Sequence, residues 1–318
     1  NSRAMNLADD CRIEDILPSF TNQGFSMADG RFTFKDSEED FIGLGGFGVV
    51  FRGKDEIDGK EVAIKRVLKQ HIKFSEIDVI RSLQSSFLIG LIDVCSLDDN
   101  HSCIVMVINL YFFVYAHFQE LCDTDLDYHI RKNAKCRKLT RANLRLLIDN
   151  LARGYKALND LRIVHRDIKP QNILVQYATP CTYQFSAAKI TDFGICRSLE
   201  NGDMCNVAGS LFYMAPEVGA NLLKTCQYDA EVDMWSIGCL IYQCVVGELP
   251  FDEGSLCKLF LHSACSNYDA YDQPDLPEGT DENMASLIRS LLKIEASQRA
   301  TPQDFYNIVT SLEETIWS

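Results

Sequence analysis

His165-Arg166-Asp167-Ile168-Lys169-Pro170-Gln171-Asn172, followed twenty residues after Asn172 by Asp192-Phe193-Gly194, narrows the folds open to this chain more than any other feature. Asp167 can orient a hydroxyl nucleophile and take its proton. Lys169 can neutralise charge on a moving phosphoryl group. Asn172 offers a carbonyl oxygen and Asp192 a carboxylate, both suited to a hard cation. A loop salt bridge explains any one of these residues. It does not explain all four in this order and at these intervals.

Upstream, Gly43-Leu44-Gly45-Gly46-Phe47-Gly48-Val49-Val50 fits the pattern G-x-G-x-x-G-x-V. Glycines allow backbone to approach a phosphate chain closely and to take unusual φ. Alone, the pattern equally describes a glycine-rich hairpin. A dinucleotide fingerprint would run on into a helix. Here Val49 to Gly53 continues as a strand, so the spacing predicts strand–loop–strand. About fifteen residues on, Val62-Ala63-Ile64-Lys65 ends an apolar run on a cation that can reach phosphates. Such a Lys needs an anion to hold it, and Glu76 on the predicted helix is the candidate.

Charge and cysteine usage exclude several classes. In 318 residues there are 31 basic and 45 acidic side chains, a net charge of −14. Non-specific nucleic-acid binding needs a basic field, and so does docking on an anionic leaflet. Thirteen cysteines without one Cys-x-x-Cys pair fit neither a small disulfide scaffold nor a structural zinc site. They predict reduced, mostly buried thiols in a cytosolic or nuclear chain, with the cytoplasm preferred, and no basic start leads into an apolar run. Cys103 to Phe118 is apolar over 16 residues, short of the ~20 that span a bilayer. Its β-branched and aromatic content predicts two buried strands, so no transmembrane segment is expected.

The periodicity divides the chain. Residues 1–30 carry no clear period and are read as an N-terminal extension. Residues 31–119 are strand-rich, with one helix predicted over about 72–84. Helices dominate from 123 to 318, notably Thr140 to Asp160 and the almost wholly apolar Val232 to Val246. Gln176 to Ala187 reads as an extended surface hairpin. The expected class is α+β, with a small β-rich lobe and a large helical one.

With Ala215-Pro216-Glu217, Asp233-Met234-Trp235-Ser236-Ile237-Gly238 and Arg299 added, the chain resembles the eukaryotic protein kinases from about Phe32 to Trp317. The resemblance implies a bilobal fold over 31–318, with a hinge at 120–122, and ATP and Mg2+ as cofactors. It implies that Gly43, Gly45, Gly46 and Gly48 cover the phosphates and that Ile42, Val50 and Ala63 roof the adenine. Leu174 would floor it, and Glu120, Leu121 and Cys122 would offer hinge backbone groups after Gln119. Lys65 and Glu76 would pair, Asp167 and Lys169 would serve the transfer, and Asn172 and Asp192 would hold magnesium. Glu217 and Arg299 would form a buried ion pair. Lys169 two residues after Asp167, and Ser210 ahead of the Ala-Pro-Glu motif, follow the Ser/Thr pattern.

The implied partners are protein substrates with Ser/Thr acceptors, together with regulatory proteins. FTFKDSEEDFIGLGGFGVVFRG and VHRDIKPQNILV resemble the autophagy-initiating kinases; ELCDTDLDYHI and TDFGICRSL resemble the endoplasmic-reticulum stress sensors. The first resemblance is preferred. The competing reading is a pseudokinase-type nucleotide-binding scaffold, which would usually lack residues of the Lys65, Asp167 or Asp192 type. Asn206 stands where relatives usually carry an activating phosphate, so activity is expected not to depend on one there. Asp123, Asp125 and Asp127 either begin a helix, where carboxylates favour the dipole, or select basic substrate residues.

Overall fold

The computed structural model describes residues 19–45, 48–72, 77, 81, 85–107, 122–179, 182–192, 211–221 and 229–312. Its first part is an antiparallel sheet of β1 (Gly24–Met27), β2 (Phe32–Lys35), β3 (Phe41–Gly45), β4 (Gly48–Asp55), β5 (Glu61–Leu68), β6 (Leu91–Ser96) and β7 (His101–Val107). The order is β1-β2-β4-β5-β7-β6, with β3 also pairing β4. Alternation explains the strands. In β5, Val62 and Ile64 are buried on one face; on the other, Lys65 and Val67 are buried and Ala63 half-buried. One face packs on Phe32, Phe34, Phe51 and Val105, which form a separate small core.

Two expectations are corrected here. The sequence pattern places an N-terminal extension at residues 1–30, but Gly24–Met27 pairs with Phe32–Lys35 in a hairpin that turns through Asp29 and Gly30. Met27 lies in the small core, so the sheet begins at Gly24. The four-residue strand was missed because one turn of alternation is too short to register as a period. The thiols are also less buried than expected. Among the described cysteines, Cys95, Cys103, Cys239 and Cys244 are buried, Cys122 is half-buried, and Cys136, Cys257 and Cys265 are exposed. Burial pushes the Cys95 thiol up to about 11 and Cys103 to about 12, which keeps both protonated.

The second part is helical: α1 (Leu126–Tyr128), α2 (Arg141–Asp160), α3 (Pro216–Ala220), α4 (Glu231–Val246), α5 (Glu253–Ala264), α6 (Glu282–Leu291) and α7 (Pro302–Leu312). The Thr140 side chain caps α2 by accepting from the Asn143 N–H. Leu147, Ile148, Leu151, Tyr155 and Leu158 form its buried stripe. α4 is buried on nearly every side and ends at Gly247, whose φ of 88° suits only glycine well. Trp235 on α4 is fully buried and stacks on Phe251 at 5.6 Å.

A small sheet, β10-β9-β8, lies on this part: β8 (Thr124–Asp125), β9 (Ile173–Tyr177) and β10 (Phe185–Ile190). The predicted hairpin over 176–187 is the β9–β10 connection. The parts meet where Ile89 N–H donates to Ile190 O and Ile190 N–H to Phe87 O, each at 3.0 Å. Ile77 and Arg81 are helical, as predicted, but Ile72, the predicted start, is extended and closes a short turn at Lys69–His71; residues 73–76, 78–80 and 82–84, and 108–118 of the apolar run, lie outside the described residues.

Candidate active site

β3 and β4 pair antiparallel with Gly45 opposite Gly48, so the glycine run is the strand–loop–strand that its spacing predicts. Two of its glycines are small for different reasons. A Cβ on Gly48 would stand 2.0 Å from the Arg66 carbonyl oxygen, so packing alone forbids one. A Cβ on Gly43 would meet nothing within 4 Å. The protein does not need that space, which leaves it to a ligand. Gly46 lies outside the described residues.

Lys65 stands opposite Val50 and Ile104 in the middle of the sheet and is 1% exposed. Its Nζ lies 2.7 Å from Asp192 Oδ2. A buried ammonium needs such a partner. For Asp192, burial works against the charged form. The charge and hydrogen bond of Lys65 outweigh it, with His165 and Lys169 acting in the same direction, and hold the carboxyl below the ordinary carboxylate range. The expected partner Glu76, and the hinge residues Glu120 and Leu121, lie outside the described residues, as do Gln119, Asn206 and Ser210. Cys122 is half-buried.

The loop 165–172 brings the other charges to this point. Lys169 Nζ is 2.8 Å from Asp167 Oδ2. Asn172 Nδ2 donates to Asp167 Oδ2 at 2.9 Å and to its carbonyl oxygen at 2.8 Å. That fixes which way the Asn172 amide faces, and leaves Oδ1 as the atom to offer a cation. Together with the Asp192 carboxylate this is an oxygen donor set. It fits Mg2+, which takes one or two protein ligands and completes its shell with water and phosphate.

What holds the loop was not readable from the motif. Asp233, fully buried on α4, accepts from the backbone N–H of His165 at 2.6 Å and of Arg166 at 2.7 Å, and from the Tyr155 hydroxyl at 2.7 Å. Burial pushes the Asp233 carboxyl up; the Tyr155 hydroxyl and the two backbone donors oppose that. His165 Nε2 sits 2.9 Å from Thr191 O, linking the loop to the residue before Asp192. Arg166 and Asp192 both take left-handed φ, 67° and 62°, a strained choice for non-glycine residues that such anchoring sustains.

Arg299, 3% exposed, donates to both Glu217 carboxylate oxygens at 2.8 and 3.1 Å, as expected. It also donates to the Glu231 and Lys293 carbonyls and lies over the Trp235 ring. The proposed adenine-lining positions are apolar and incompletely covered: Ile42 is 39% exposed, and Val50, Ala63 and Leu174 are half-buried. Asp125 caps α1, Asp123 accepts from Tyr177 N–H and Asp127 pairs with Arg131, so all three acids serve local structure.

A glycine-rich hairpin, a buried strand lysine and a loop with oxygen donors suited to a metal occur together on a two-lobed fold. The chain belongs to the protein kinase family: the model of the protein kinase domain matches residues 37–309. It is 32% identical over 290 residues to serine/threonine-protein kinase unc-51 of Caenorhabditis elegans, covering 86% of this chain and 31% of that protein. It is 30% identical over 291 residues to serine/threonine-protein kinase ULK1 of Homo sapiens, covering 87% of this chain and 25% of that protein. The chain thus spans about a third or less of these relatives. A structure described as Rad53 1-466 in complex with AMP-PNP superposes with a TM-score of 0.62 at 24% identity, over 90% of this chain and 66% of that one. No helix among the described residues is long and apolar enough to cross a membrane.

Proposed function

We propose that this chain is an ATP- and Mg2+-dependent protein serine/threonine kinase. The observation that carries the reading is the meeting, within hydrogen-bond distances, of Lys65 with Asp192 and of Asp167 with Lys169 and Asn172. Gly43, Gly45, Gly46 and Gly48 would cover the phosphates, and Ile42, Val50, Ala63 and Leu174 would enclose the adenine, with Glu120 and Cys122 offering backbone groups. Lys65, held by Asp192, would bind the phosphate chain, and Glu76 would serve as its second anion. Asn172 and Asp192 would hold a magnesium ion, which would supply charge neutralisation at the phosphates.

The substrate hydroxyl approaches Asp167. Its oxygen forms the new bond to the γ-phosphorus as the bond to the β–γ bridging oxygen breaks. The hydroxyl proton passes to the Asp167 carboxylate, and ADP departs with the bridging oxygen's charge. Lys169 stands beside Asp167 and meets the negative charge of the phosphoryl oxygens. Most of the rate enhancement then comes from positioning.

The similarity to the unc-51 and ULK1 kinases supports a place in autophagy initiation, with regulatory protein partners and a cytoplasmic location. The resemblance to stress-sensor kinases keeps stress signalling as the other pathway. A nucleotide-binding scaffold is the second functional reading; retention of Lys65, Asp167, Asn172 and Asp192 tells against it.

The deciding experiment transfers labelled phosphate from ATP, with magnesium, to a generic basic protein, beside Asp192→Asn. Label on serine or threonine that disappears in the variant supports the kinase. Magnesium-dependent ATP binding without transfer, under any activating condition, supports the scaffold instead.

A further inference from the structure

Seven of the 31 basic residues fall in the fifteen positions from 131 to 145, and no acidic residue stands between Asp127 and Asp149. This is a concentrated positive field on a chain of net charge −14. Arg131, Lys132, Lys135, Arg137 and Lys138 are all exposed. Arg131 pairs with Asp127; Lys132, Lys135, Arg137 and Lys138 make no ion pair among the described residues. The loop is nonetheless fixed. Leu139 N–H donates to Cys244 O at 2.9 Å, and the Cys136 carbonyl lies so close to Gly247 that a Cβ there would be 2.5 Å away.

A second feature adjoins it independently. The β9–β10 hairpin folds against the same corner: Asn143 Nδ2 donates to Tyr183 O at 2.9 Å, and Asn133 Nδ2 to the Tyr177 hydroxyl at 3.0 Å. Tyr177 and Tyr183 rings meet edge-on at 5.4 Å. Tyr183 remains 46% exposed and Tyr128, on α1, 48%. Tyrosines beside unpaired cations suit a partner that is acidic with apolar side chains at intervals.

We propose that this basic, tyrosine-bearing corner is a docking surface for an acidic peptide segment of a protein partner or substrate, separate from the site of transfer. A peptide feels the field within about a Debye length, ~8 Å, of the surface it touches. An anionic bilayer would also lie against the rest of the chain, which sets the other 24 basic residues against all 45 acidic ones. That repulsion favours the peptide.

The test uses the full chain without nucleotide. A fluorescein-labelled peptide of glutamates with leucine at every third position is titrated by anisotropy, beside a lysine version and beside phosphatidylserine vesicles. Binding of the acidic peptide alone is expected, weakening steeply with salt. Lys132→Glu/Lys135→Glu/Arg137→Glu/Lys138→Glu should weaken it by about tenfold or more. The same four changed to Gln should give a smaller loss, which separates charge from misfolding. Tyr183→Ser should weaken it severalfold with the salt slope unchanged. Equal binding by the charge-reversed chain, no peptide binding at all, or binding to vesicles only would overturn the proposal. Phosphorylation of a short peptide lacking the acidic segment should stay unchanged in these variants, so a failure of docking and a failure of the kinase reading are read separately.

Discussion

Lys65 reaches the cleft from the middle of a strand, whereas Asp167 reaches it from a loop. The lysine is placed by backbone register: β4 and β5 pair residue for residue from Gly48 to Lys54. Nothing beyond the sheet is needed to set its height. The aspartate is placed by side chains from far away, since the loop hangs on Asp233, 68 residues beyond His165. A sheet position therefore tolerates change at its neighbours as long as the ladder survives. A loop position depends on a few buried acceptors, and each of them can be removed singly.

The largest effect should come at the loop's tip. Asp167→Asn removes the proposed proton acceptor while keeping a similar shape, and should lower kcat by about 10²–10⁴-fold. Its melting temperature should stay close to the parent's, because Asp167 is partly exposed and asparagine keeps nearly its shape. A variant that retains full transfer would show that the hydroxyl does not need this carboxylate.

Next in size is the buried ion pair of the helical part. Arg299→Ala leaves Glu217 and the Glu231 and Lys293 carbonyls without their donor, and should cost about 3–5 kcal/mol in urea unfolding. Arg299→Lys should recover only part, because an ammonium cannot span both carboxylate oxygens and the carbonyls. A loss below about 1 kcal/mol for the alanine variant would mean that the lobe holds its loops without this pair.

The corner formed by α1 and the β9–β10 hairpin gives a pH-dependent effect. His129 is buried, and its pKa is pushed down to about 4. Asn133 donates to the Tyr177 oxygen, so the Tyr177 hydroxyl is free to donate to neutral His129 Nδ1, 2.9 Å away. Between the ordinary value near 6.5 and about 4 the unfolded chain binds the extra proton and the folded one does not. Stability should thus be full above that ordinary value and fall by about 2 kcal/mol as pH drops toward 4. His129→Gln should flatten that part of the profile. An unchanged slope would assign the acid loss elsewhere.

The legible and illegible parts divide along the same line as the two lobes' supports. Lys65, Asp167, Asn172 and Asp192 were readable because their chemistry is concentrated in short runs, and α2 and α4 because a buried helix repeats its pattern over many residues. The Glu217–Arg299 pair, 82 residues apart, came only through family resemblance. Asp233 was quoted as part of a motif, but its grip on the 165–166 backbone was not foreseen, since no local spacing links an acid to amides so distant. The Lys65–Asp192 contact, across 127 residues, was missed for the same reason. The short β1 strand carried too little period to be seen. The basic run at 131–145 was visible in the sequence and was overshadowed by the net charge, which averages away a local field.

The smallest effect tests the anchoring idea most directly. Tyr155→Phe removes one of three donors to Asp233 and leaves the two backbone donors in place. A hydrogen bond to a charged acceptor is worth about 1.5–3 kcal/mol, and the remaining donors keep the carboxylate from being stranded, so a stability loss at the lower end is expected. If Asp233 sets the loop's position, the lost donor should also loosen that position and lower kcat severalfold with KM for ATP unchanged, because ATP is gripped largely from the sheet. A drop in stability with kcat intact would make Tyr155 a packing residue only. A rise in KM for ATP at constant kcat would mean that the two lobes are less independent in their supports than the sheet register and the Asp233 anchor imply.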